Sequence, residues 1–134
     1  MVERIRAPIS ASIAFLALIL GSIICFADTL DAGLFGAWSA SVPDCPKIFQ
    51  RSGGAVAFRR PVDKFAQAAI IGPQQFLLPS GTCRVRGVSH GKGVINVSAE
   101  CSDAISYGTE NIQIKVTSGG EITFGDTNMV KCRL

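Results

Sequence analysis

TCRVRGVSHGKGVINVSAEC, running from Thr82 to Cys101, alternates polar and apolar side chains on both sides of a Gly91-Lys92-Gly93 break. Thr82, Arg84 and Arg86 fall on one parity, with Cys83 and Val85 on the other. Beyond the break, Ile95, Val97, Ala99 and Cys101 alternate with Asn96, Ser98 and Glu100. A period of two is the signature of a half-buried strand, and glycines at the break supply positive φ without steric cost. The stretch therefore reads as an antiparallel hairpin with one wet face.

The same pattern continues downstream. Ile112, Ile114 and Val116 form a third strand, Ile122 and Phe124 a fourth, and Val130 and Cys132 a fifth. Ser118-Gly119-Gly120 and Asp126-Thr127-Asn128 supply the later turns. Upstream, Phe35 to Val42 and Ala55 to Phe58 read as two further strands, separated by Pro43, Pro46 and Gly53-Gly54. Val62 to Ile71 fits either a short helix or a strand, with Pro73 and Pro79 marking its exit. These elements predict an all-β domain, a small antiparallel barrel or sandwich of about seven to eight strands that curls to hide its edges.

The N-terminus has a different composition. Arg4 and Arg6 precede an uncharged stretch from Ala7 to Ala27, and Asp28 ends it. A basic start, an apolar middle and a small residue before the cut are the layout of a secretory signal peptide, so residues 1–27 are expected to be a signal helix and residues 28–134 a single β-domain. Left uncut, the same stretch is long enough to cross a bilayer. Loss of Glu3, Arg4 and Arg6 reduces 13 basic and 10 acidic residues to 11 and nine, a formal charge of +2. That bias is too small for nucleic acid, where a basic patch or stripe is the expected footprint. Lys47, Arg51, Arg59, Arg60 and Lys64 do cluster along the chain, and read as a solvated rim of loops.

Of five cysteines, Cys25 leaves with the leader, while Cys45, Cys83, Cys101 and Cys132 remain. An even count in a small exported domain predicts two disulfides, and no spacing supports a zinc site or a redox Cys-x-x-Cys. Cys83, Cys101 and Cys132 share the apolar parity of their strands, so their sulfurs are expected to face the core. A three-residue turn at 91–93 sets Cys83 opposite Cys101, which leaves Cys45 for Cys132. A register slip of two keeps the parity, so the sequential pairing Cys45 with Cys83 and Cys101 with Cys132 also stays open.

Catalytic signals are sparse. The one histidine, His90, sits beside the Gly91-Lys92-Gly93 turn, a solvated position where a triad base would be neither oriented nor buried. Asp44, Asp63, Glu100, Asp103, Glu110, Glu121 and Asp126 are scattered with no paired spacing. Asp126-Thr127-Asn128 lacks the donor run and distal glutamate of a calcium loop, Asn96-Val97-Ser98 falls inside a strand, and Trp38 fits the closure of a barrel end. No cofactor and no metal are expected.

Gly36-x-Trp38, then Cys45, Cys83-Arg84 opening a hairpin, Cys101 ending it and Cys132-Arg133 at the C-terminus form an ordered set of features. In that order the chain resembles the small exported four-cysteine β-proteins of α-proteobacteria. The Gly-x-Trp opening is also distantly similar to the periplasmic metalloprotease-inhibitor family, small barrels that insert an N-terminal segment into a protease cleft. That resemblance implies Asp28 to Gly33 as the inserting segment, although the family typically carries two cysteines rather than four. The Ser-Gly-x-x-Tyr motif of periplasmic lysozyme inhibitors is absent. The expected function is a non-enzymatic, disulfide-stabilised binding or envelope protein, periplasmic or secreted. Its expected partner is a protein or small ligand of the envelope, with membrane contact only through an uncut leader and a monomeric state. A hydrolase inhibitor acting through Asp28 to Gly33 or the loop Ser102 to Gly108 is the main alternative, and a small hydrolase the third.

Overall fold

A computed structural model describes residues 29–134. The expected signal segment lies outside the described residues. Ten strands form: β1 Gly36–Ser39, β2 Phe49–Ser52, β3 Ala55–Phe58, β4 Ala68–Ile71, β5 Gln75–Leu78, β6 Gly81–His90, β7 Val94–Asp103, β8 Tyr107–Val116, β9 Ile122–Phe124 and β10 Thr127–Lys131, with one helical turn, α1, at Cys45–Ile48. Eight of them close an antiparallel barrel in the order β1-β10-β9-β8-β7-β6-β5-β4, while β2 and β3 pair separately. From β4 to β10 every neighbour in sequence is a neighbour in the wall. Strand β1 completes the ring by pairing with both β4 and β10. Eight strands is the number at which side chains alone fill the interior.

The five-strand meander read from residue 82 onward is present as β6 to β10, and Val62–Ile71 resolves into a loop followed by β4. Two strands escape the periodicity: β2, and β5 between Pro73 and Pro79. The final turn is Gly125-Asp126, with Thr127 already in β10, one residue earlier than the Asp126-Thr127-Asn128 joint expected.

Inward side chains of the wall make the main core: Trp38, Ala69, Ile71, Phe76, Cys83, Val97, Ala99, Ile114, Ile122 and Met129. Leu30 and Leu34 join it from outside the strands, through a short 3-10 turn at Ala32–Leu34. They plug one end of the barrel over Trp38, whose Nε1–H donates to the Leu34 carbonyl oxygen at 2.7 Å. Lys131 lies 5.6 Å above the indole and donates to the Gly33 carbonyl oxygen at 3.1 Å. Gly36 adopts φ 128°, a conformation open to glycine, and the Lys131 stem lies 3.3 Å from where a β-carbon would stand. The Gly36-x-Trp38 pair is thus a packing device that closes this end. Residues 30–34 belong to the plug, so the segment read as an inserting arm is anchored by Leu30 and Leu34 from its third residue onward.

The chain between β1 and β4 folds back over the outer surface of these two strands and builds a second core. Ala37, Ala68 and Ile70 face outward from the wall and meet Cys45, Phe49, Phe58, Val56 and Cys132. Phe49 and Phe58 stack with centroids 5.4 Å apart. The disulfides join Cys45 to Cys132 and Cys83 to Cys101. Cys83 is buried in the barrel and Cys101 packs against it, as parity requires. Cys132 does face a core, but it is this outer one, just beyond the end of β10.

Candidate functional site

Strand lengths make the barrel asymmetric. β8 has ten residues and pairs with β7 along nine of them, from Val94↔Lys115 to Ser102↔Tyr107. On its other side β9 has three residues, which match only Ile114, Lys115 and Val116. One more bond, from the Gly125 N–H to the Gln113 carbonyl oxygen at 2.9 Å, ends the contact. Tyr107 to Ile112 therefore have a wall on one side only, and the barrel gapes between β8 and the β9–β10 turn.

The gap opens into a cleft of about 530 Å³ at the end opposite the Trp38 plug. Leu78, the Cys83–Cys101 bridge, Ile112 and Phe124 make an apolar floor, while Ser102, Asp103, Ser106, Glu110 and Asn111 stand around it. Gly81 brings two backbones close: a β-carbon there would collide with the Ser102 carbonyl oxygen. Gly108 lies directly opposite Cys101, and a β-carbon at Gly108 would meet nothing within 4 Å. Glu110 shares the inward parity of Ile112 and has no ion-pair partner among the described residues.

The loop from β7 to β8 borders this mouth. Asp103 Oδ1 accepts the backbone N–H groups of Ile105 at 2.8 Å and Ser106 at 2.7 Å, and these bonds hold its carboxyl below the usual range. A carboxylate so engaged fixes loop shape. At its tip Ile105 is 95% exposed. The Asp63–Ala66 turn repeats the device, with Asp63 Oδ1 accepting the Phe65 N–H at 3.0 Å and Phe65 94% exposed. Lys64 of that turn is near enough to Asp103 to contribute to lowering its pKa. Two apolar tips thus flank the open end.

Two other places were candidates. Under the β1–β4 excursion, Ser39, Asp44, Lys47, Phe58, Arg59 and Asp63 border a cleft of about 370 Å³. Ser39 is completely buried and its Oγ has no hydrogen-bond partner. The cleft's charges serve the fold: Asp44 accepts from Ser41 and Lys47, and Arg59 Nε donates to the Pro46 carbonyl oxygen. On the outer face of β6 and β7, Arg86 grips Glu100 through Nε and a second nitrogen. Hydrogen bonds from Arg86, then Tyr107, hold the Glu100 carboxyl low, while that carboxylate pushes the Tyr107 phenol up.

The residues singled out by sequence are dispersed. His90 is exposed at the end of β6, remote from the mouth. Of the basic cluster, Lys47 pairs with Asp44, Arg51 Nε donates to the Leu134 carbonyl oxygen, and all five members are exposed. Among the described residues, no three of His, Cys, Asp and Glu form a group that could hold a metal ion, and no helix is long and apolar enough to cross a membrane. Of the residues read from sequence, the Cys83–Cys101 bridge, the loop Ser102 to Gly108 and the acids Asp103 and Glu110 do converge on the candidate site, while Cys45–Cys132 lies in the outer core. Ile112 and Phe124 were legible as strand residues and Glu110 only as one of the scattered acids, and nothing local marked the three as neighbours around an opening. No family model, no curated protein and no solved structure matches the chain.

Proposed function

We propose that the chain is an exported, non-enzymatic binding domain that receives its ligand at the open barrel end. The observation that carries this reading is the mismatch between ten-residue β8 and three-residue β9, which leaves an apolar-floored cleft where a closed barrel would have wall. Concave sites with an apolar lining and a few placed polar groups are the usual form of ligand pockets. Two disulfides, and a start in which Arg4 and Arg6 precede an uncharged stretch, support export. A Glu110 without an ion-pair partner among the described residues, together with an Asp103 engaged by the Ile105 and Ser106 of its own loop, gives a mouth suited to recognition.

A neutral apolar dye such as N-phenylnaphthylamine tests the site. Saturable one-to-one binding by the oxidised chain is expected, abolished by Gly108→Trp, which fills the mouth from a position where a β-carbon is unopposed. Absence of binding, or binding unchanged in Gly108→Trp, would sink the reading.

A second reading, inhibition of an envelope or secreted hydrolase, draws on one specific feature: Ile105, almost wholly exposed on a loop braced by Asp103. Stoichiometric inhibition within a panel of secreted proteases and lysozymes, lost in Ile105→Asp with dye binding retained, is its expected outcome. A panel left uninhibited retires it.

A further inference from the structure

We infer that the mouth takes an extended peptide segment of another protein, added to β8 as a further strand and carrying a basic side chain that meets Glu110. This rests on the mouth being the binding site and names the ligand that fits it.

In an antiparallel ladder, successive residues turn their N–H and C=O groups to alternate sides of the strand. The Gly125 bond shows that the Gln113 carbonyl points toward β9, so Asn111, Thr109 and Tyr107 point the same way. Past Gln113 no strand stands there. Their backbone groups form a free edge about 14 Å long at roughly 3.4 Å per residue, enough for a four- or five-residue strand. Residues 107–111 are all exposed, as an edge requires.

A strand added to this edge would close the mouth. Its inward side chains would lie opposite Ile112, Glu110 and Gly108 in turn, above the Cys83–Cys101 bridge and Phe124. Opposite Ile112 the neighbours are apolar. Opposite Glu110 stands an unpaired carboxylate, so a lysine or arginine fits. Opposite Gly108 there is open space for a large apolar residue. The matching segment is extended, alternates polar with apolar residues and has one cation among its inward positions.

A second copy of the chain is a poorer occupant. Antiparallel self-pairing through Tyr107, Thr109 and Asn111 places the two Glu110 side chains on one face, directly opposite or on the neighbouring diagonal. Like charges so placed repel, and an inward charge on an edge strand is a recognised guard against self-association.

The test uses the oxidised chain and the heptapeptide Thr-Val-Thr-Lys-Thr-Val-Thr, whose second, fourth and sixth residues share one face. Saturable binding is expected, weakened about tenfold when the central lysine is glutamate and restored for that acidic peptide by Glu110→Lys. Thr109→Pro removes an N–H that faces the gap, a substitution edge strands tolerate, so the barrel should persist by circular dichroism while peptide binding falls at least about tenfold. Binding indifferent to Thr109→Pro or to the lysine overturns the inference, as does no peptide binding. In both cases dye binding that remains sensitive to Gly108→Trp would leave the mouth standing as a ligand site, and loss of dye binding would remove both.

Discussion

The two ends of the barrel are made of the same kind of strand and differ in what covers them. At the Trp38 end, Leu30 and Leu34 cap the interior, the indole N–H is bonded, and Lys131 ties the cap to β10. At the other end the wall stops short, and Ile105 and Phe65 stand in water. One end stabilises the fold by burying apolar area, whereas the other keeps apolar area accessible at a cost that the rest of the molecule offsets.

The largest effect should come from breaking the closed end. Trp38→Ala removes a buried ring, its hydrogen bond and the cation above it, and should cost about 3–5 kcal/mol in urea unfolding. At the open end, Ile105→Ala should move stability by under about 0.5 kcal/mol. Equal costs at both ends would erase the contrast.

Removing the Cys83–Cys101 bridge by a double change to alanine should cost about 3 kcal/mol, from loop-closure entropy over a sequence separation of 18. It also takes away the cleft floor, so dye affinity should fall with stability. Dye affinity unchanged in the double variant would detach the bridge from the site. Gly81→Ala should cost about 1–3 kcal/mol, because its β-carbon meets the Ser102 backbone rather than a side chain that can yield.

The smallest effect concerns pH. Hydrogen bonds from the Ile105 and Ser106 N–H groups lower the Asp103 pKa on folding. A depressed carboxylate contributes above its unfolded pKa and loses that contribution as pH falls through the lowered folded value. The protection factors of the Ile105 and Ser106 amides, each taken against the intrinsic exchange rate at the same pH, should therefore fall at acid pH while the Trp38 end stays protected. Uniform loss of protection across both ends would show that the Asp103 loop is no separate element.

How much of this was legible beforehand varies by element. The long strands β6, β7 and β8 announce themselves because one face is wet and the other dry. Strand β5 has four residues, Gln75 to Leu78, too few to display a period between two prolines. Strand β1 is legible within Phe35 to Val42, but its two faces are not distinguishable: Ala37 and Ser39 occupy the outward parity yet are buried, because the excursion covers them. The Cys83–Cys101 match also hides a compensation. Near the turn the register runs His90↔Ile95, one residue out from a three-residue loop, and an irregularity between Val85 and Gly87 restores it, giving Cys83↔Cys101. The local signal of that bulge is the spacing of three between Val85 and Val88, both packed on the core, where an unbroken strand would keep two.

By itself, then, the sequence determined the five strands from residue 82 onward, their parity and the number of bridges, since alternation, turn residues and cysteine count are properties of neighbours along the chain. Tertiary structure alone decided that β9 stops after three residues of pairing, that the β1–β4 excursion packs outside the wall, and that Cys132 serves an outer core. These depend on which strands lie side by side around a closed ring, and that follows from packing and shear over the whole barrel rather than from any one segment. The open mouth is a consequence of such lengths meeting in space, and for that reason no motif marks it.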